Sequence, residues 1–226
     1  MTEGSNPLSR LIKATAKVEA NELKATLLSF SFVFVIMMAY FILRPVRDAL
    51  SSDWTDEQLS WLWTSTFVFS ALAVSVYGAV ISRVRFKVIV PGVYVFFAIS
   101  FAGFYVVGST LGDNDLVNRI YYVWTSVFSL FHLSVFWTFM SGLYNKEQAK
   151  RLFSVIAVGA MAGAIAGPLF VTLFAEAIGS LNMLLASATL LLVPIPIIAK
   201  LDQLRSGGRC YSCRPRIWPG LCPGLS

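Results

Sequence analysis

The sequence predicts an all-α membrane protein of six transmembrane helices, on three observations. The 226 residues are 57% hydrophobic and only 13% charged, with a mean hydropathy of +0.70, which is about half the charge of a soluble domain. The charges leave six uncharged runs. The shortest, residues 25–43, holds nineteen residues, close to the roughly 20 needed to cross about 30 Å of hydrocarbon. No run alternates apolar and polar residues as membrane strands do. These features exclude a water-soluble globule and a disordered chain, and three cysteines are too few for a disulfide framework.

The elements follow in order. In residues 1–24, Leu8, Leu11, Ile12, Val18 and Leu23 roughly keep a helical period beside Arg10, Lys13 and Lys17. That suits an amphipathic helix on the cytoplasmic membrane surface, or equally a solvated lead. It is not a secretory signal, because Tyr40–Arg44 offers no small-residue cleavage site. The spans are expected near 25–44, 60–82, 88–110, 119–141, 152–176 and 180–199, within a bundle over 25–204. Trp61 and Trp63 open the second, and Tyr121, Tyr122 and Trp124 open the fourth, as interfacial rings do.

After Leu204 the composition changes. Residues 205–226 hold all three cysteines and no acidic residue. Cys210 and Cys213 have the spacing of a zinc or redox half-site, but no second pair accompanies them, so no metal site is expected. The shift is what a reading frame altered or cut short beyond the sixth helix would give, and this basic, cysteine-containing tail is expected to be disordered.

Fifteen of the eighteen Lys and Arg residues fall on one side of this arrangement, which places both termini in the cytoplasm. The net charge of +6 then reflects topology and is no argument for nucleic-acid binding. No catalytic set is visible. There is one histidine, no Walker-type phosphate loop, and no base-and-acid arrangement around any serine. The chain is therefore not expected to be an enzyme, and no cofactor is implied.

The end of the first span, Leu43-Arg44-Pro45-Val46-Arg47-Asp48-Ala49-Leu50, carries more information. Arg44 and Arg47 are three apart and share a face on a continuing helix. Pro45 either kinks that helix or sits in its terminal turn. Two planar guanidinium forks on one face suit a phosphate or carboxylate; alternatively they end a span among outer headgroups. Outer loops are poor in arginine, which invites a specific reason. Arg119, beside Asp113 and Asp115, is expected to matter less. His132, near the middle of the fourth span, is a functional candidate by depth alone, or one half of a helix-to-helix hydrogen bond. Gly159, Gly163 and Gly167, followed by Pro168, form a smooth stripe for close helix packing, and a pliable seam there would also permit rocking.

The loop Gly78–Lys87, with Arg83, Arg85 and Lys87, resembles the loop between helices 2 and 3 of the major facilitator superfamily, with Ser82 and Arg85 where that family has Asp and a second Gly. Gly163-x-x-x-Gly167-Pro168 is similar to its fifth-helix antiporter signature, without the trailing glycine pair. Leu43–Leu50 and Ser134–Phe153 (SVFWTFMSGLYNKEQAKRLF) resemble segments of the ATP/ADP translocases, the nucleotide exchangers of plastids and intracellular bacteria. These segments cover about thirty residues.

That resemblance implies a major-facilitator-like half bundle of two three-helix repeats, in a bacterial inner membrane. It places Arg47, with Asp48 and Arg44, at a basic first-helix position, and Lys150 and Arg151 at the inner end of the fifth helix. The implied function is secondary transport of a small anionic metabolite, a nucleotide above all, by alternating access. Full-length relatives have about twelve spans, so a second half or a second copy is the expected partner. The alternatives are an inactive truncated fragment and a non-transporting assembly subunit. Self-association is expected if His132 and the Arg44/Arg47 pair lie on a face that would otherwise meet lipid.

Overall fold

The computed structural model describes residues 23–81, 86–112, 114–144 and 146–212. The lead 1–22, the loop residues Arg83 and Arg85, and the tail from 213 lie outside the described residues. The elements are α1 (Leu23–Ser51), α2 (Asp56–Ile81), α3 (Phe86–Leu111), α4 (Asp115–Leu143), α5 (Lys146–Ile178), α6 (Ser180–Leu190) and α7 (Pro194–Ser212). Six helical segments are long and apolar enough to cross a bilayer, α6 and α7 together forming the sixth, and no strand occurs among the described residues.

The connections are short, and their chemistry is local. Thr55 and Gln58 exchange hydrogen bonds, Thr55 N to Gln58 Oε1 at 3.2 Å and Gln58 N to Thr55 Oγ1 at 3.4 Å, a capping box that opens α2. Asn114 caps α4 by accepting from Leu116 N at 3.0 Å. Gly112 and Gly179 have φ of +66° and +85°, a region in which a Cβ would be strained, and each closes the preceding helix through its own N–H.

Three expectations are corrected. The first helix does not stop at residue 44 but runs through Pro45 to Ser51, because the proline's neighbours are held in the bundle by packing. The sixth span is interrupted at residues 191–193, where Leu192 N and Val193 N bond to Thr189 and Leu190 carbonyls. Pro194 disfavours helical backbone in the residue before it and donates no hydrogen bond. Past this break α7 continues to Ser212, beyond the expected tail boundary at 204.

The packing places α1 at the centre. It lies against α5, α4, α6 and α7, while α2 packs on α4, and α3 packs on α4, α6 and α7. The result is a row in the order α2, α4, α1, α5, with α3 and the broken sixth span behind it. The core is aromatic. Phe32 of α1 meets Tyr94, Phe136 and Phe139 edge-on at 5.7, 5.2 and 6.0 Å, and Phe128 meets Phe97 at 4.8 Å and Phe101 at 5.3 Å. Such pairs add directional attraction to plain burial. Buried polar groups tie the helices together. Ser187 donates to the Ala39 carbonyl at 2.9 Å, Tyr94 to the His132 carbonyl at 3.0 Å, and Ser29 pairs with Tyr144 at 2.8 Å.

With 29 residues, α4 is about 43 Å long, enough to carry its two ends to opposite faces of a bilayer. Asp115→Cys and Glu147→Cys, on a background lacking the three native cysteines, are expected to react with impermeant maleimide from opposite sides. Labelling of both from one side would refute the arrangement.

Candidate functional site

The C-terminal turns of α1 present Arg44, Arg47 and Asp48. Because α1 continues past Pro45, Asp48 falls one turn after Arg44 and next to Arg47. Its carboxylate meets both guanidiniums. Arg47 donates from Nη2 and Nε to Asp48 Oδ1 at 2.6 and 3.0 Å, while Arg44 Nε lies 3.7 Å from Asp48 Oδ2. Two guanidiniums and one carboxylate leave this triad a single formal positive charge.

The two arginines are held differently. Arg47 is 16% exposed in its side chain, with Cζ 5.2 Å from the Tyr122 ring centre and Nη1 donating to Ser126 Oγ at 3.3 Å. It therefore straps α1 to α4 through a cation–π contact and a hydrogen bond. Arg44 is 49% exposed, its Cζ 5.8 Å from the ring centre of its own helix's Phe41. The two guanidiniums on this face are thus one open fork and one packed fork sharing an acidic counter-ion. The Tyr122 and Ser126 supports were missed in sequence. Tyr122 reads there as an interfacial ring, and only their one-turn spacing on α4 signals that both can face a neighbouring helix.

His132 does not join this group. It is 2% exposed and stacks on Tyr40 of α1, ring centres 4.7 Å apart. Its Nδ1 lies 3.1 Å from the Phe128 carbonyl of its own helix, to which it donates, and Nε2 has no hydrogen-bond partner. Tyr40 precedes Arg47 by seven residues, about 10 Å along the axis. Two expectations fall here. The imidazole makes no hydrogen bond across helices, although the His132 main-chain carbonyl accepts one from Tyr94, and the side chain lies on no face that would meet lipid, so it supplies no motive for self-association.

The glycine stripe faces α1. Gly159, Gly163 and Gly167 are buried against α1, where a Cβ on Gly159 would stand 2.9 Å from the Phe30 carbonyl oxygen and one on Gly167 2.6 Å from Phe41 Cβ. A Cβ on Gly163 would overlap the Phe34 carbonyl oxygen. Pro168 continues the helix without an N–H for the Ala164 carbonyl.

Lys150 and Arg151 stand in the first two turns of α5, which begins at Lys146, ahead of the expected span start near 152 that would have left them in the preceding loop. The intervening KEQAKR run consists of good helix formers. Lys87 likewise falls within α3. Compared with models of known families, with curated proteins and with solved structures, the chain matches none of them.

Proposed function

We propose that the chain is a six-helix unit of a secondary transporter that moves a small organic anion, a nucleotide by its resemblance to the ATP/ADP translocases, by alternating access in a bacterial inner membrane. The observation that carries this reading is the Arg44–Asp48–Arg47 triad at one end of the central helix. Its half-exposed guanidinium and single net positive charge suit one phosphate or carboxylate group. A polyanion needs more, which is why the reading includes a complementary six-helix unit, either a second half or a second copy.

Packing supports the finer architecture. Exchanging the first three spans for the last three maps α1·α5 onto α2·α4, and α1·α6 onto α3·α4, and α1·α4 and α3·α6 map onto themselves, while the smaller α5·α6 contact has no counterpart of that extent between α2 and α3. Two related three-helix repeats, as in major-facilitator halves, produce such a pattern. The close seam between α1 and α5 supports rigid-body rocking of the unit, since it leaves little room for either helix to slide past the other.

Exchange is tested in proteoliposomes. With the complementary unit present, ADP-loaded vesicles are expected to take up labelled ATP several-fold faster than vesicles without internal nucleotide. Uptake that is absent both with the chain alone and with a supplied second unit would sink the proposal in favour of an assembly role.

A further inference from the structure

A second site lies away from the triad, between α2, α3 and α4. Here α2 leans on α4 and leaves a cavity of about 1040 Å³ against α3, as large as a typical ligand cleft. Its walls are apolar, with Phe69, Leu72 and Val76 from α2 and Val93 and Phe96 from α3. Along α2 it reaches from Leu62 to Tyr77, about 22 Å of helix axis, whereas one leaflet contributes about 15 Å of hydrocarbon. The space is therefore long.

One end of the cavity is cationic. Arg119 lines it, in the first turns of α4, at the end of the bundle where Trp63 donates to Tyr122 at 3.1 Å. Its Nη2 is bound to Asp115 Oδ2 at 2.8 Å, but its Nε is buried with no acceptor. Trp124, on the same wall, has its Nε1 buried and unpartnered as well. Donors buried without acceptors are unfavourable and call for an explanation. A ligand with an apolar tail and an anionic oxygen-rich head answers both features, since a guanidinium presents its donors as a fork that matches phosphate.

We propose that this cavity holds one acyl chain of a membrane phospholipid whose phosphate is bound by Arg119. The proposal is independent of transport. It makes the lipid part of the fold, filling the gap that α2 leaves and supplying acceptors to the orphaned donors.

Gly92 provides the means to test it. It lines the cavity, and a Cβ built there meets nothing within 4 Å, so Gly92→Phe grows into the empty space. Gly103, on the same helix, also has open space around its Cβ but is not part of the lining, and Gly103→Phe serves as the matched control. The full chain, purified in mild detergent and exchanged with dioleoyl phosphatidylglycerol, is expected to retain about one phospholipid per chain by native mass spectrometry. Gly92→Phe should lower that occupancy at least fivefold while Gly103→Phe leaves it unchanged, and Arg119→Gln should weaken retention about tenfold without altering the helical circular dichroism. Equal retention by all four proteins, or no retained phospholipid in the unsubstituted chain, would overturn the proposal. So would a crosslinked second copy seated at Gly92.

Discussion

Gly163→Ala is expected to destabilise the bundle more than any other single-methyl change, and Gly163→Leu to abolish its folded form. The added Cβ has no side chain to push aside. It would overlap the main-chain carbonyl oxygen of Phe34 and stand 2.9 Å from Met37 Cβ, so α1 and α5 must separate along their whole seam. Overpacking commonly costs about 1–3 kcal/mol and more where backbone must move. The order of effects is also set. Gly159→Ala meets the Phe30 ring as well as its carbonyl, and the ring can rotate, so the loss should be smaller. Gly78→Ala meets nothing within 4 Å and should be neutral or slightly stabilising, because alanine is the better helix former by about 1 kcal/mol. Thermal unfolding in detergent, followed by size-exclusion chromatography, ranks the three. If Gly163→Ala and Gly78→Ala unfold at the same temperature, the seam is not the tight contact described.

The fate of these glycines shows which features were legible in sequence. A small residue every fourth position declares a close helix contact, because helical geometry alone brings those positions to one face. The spans were legible for a similar reason, since length and apolarity are properties of single segments. Features that depend on pairs of segments were not. That Arg47 would turn onto Tyr122 and Ser126 depends on how α1 crosses α4, and nothing in either segment fixes that crossing. The same holds for His132, whose ring meets the face of Tyr40 on the neighbouring helix and no polar group there. The break at residues 191–193 is a different case. Pro194 and Pro196 were present in the sequence as its signal, but the apolar run continues through them, and hydropathy does not register a missing N–H. The cavity beneath α2 is legible only in three dimensions, because Phe69, Gly92 and Arg119 belong to three helices and have no sequence relation.

Arg47→Gln is expected to lower the affinity for a nucleotide or similar anion by about ten- to a hundredfold, since a charge-assisted hydrogen bond contributes about 1.5–3 kcal/mol. The triad makes the result diagnostic through its acidic member. Arg47→Gln takes the triad from one net positive charge to none, whereas Asp48→Asn takes it to two and frees both guanidiniums from their shared carboxylate. If the triad is an anion site, the two substitutions must act in opposite directions, Asp48→Asn tightening binding and making it more sensitive to salt. If the triad is only a strut between α1 and α4, both remove the same ion pair and must act in the same direction. Asp48→Asn should cost little stability, since Asp48 is about half exposed and ion pairs of that kind contribute about 1 kcal/mol or less, whereas Arg47→Gln also removes the Tyr122 and Ser126 contacts, so thermal unfolding is measured beside binding. Arg47→Lys adds a geometric control. It keeps the charge but loses the planar fork, so an affinity between those of the unsubstituted chain and Arg47→Gln is expected. Equilibrium binding of labelled ATP to the protein in nanodiscs, with its complementary unit present, measures all three. Parallel losses for Arg47→Gln and Asp48→Asn would remove the triad from the substrate path and leave it as an anchor that holds the end of α1 against α4.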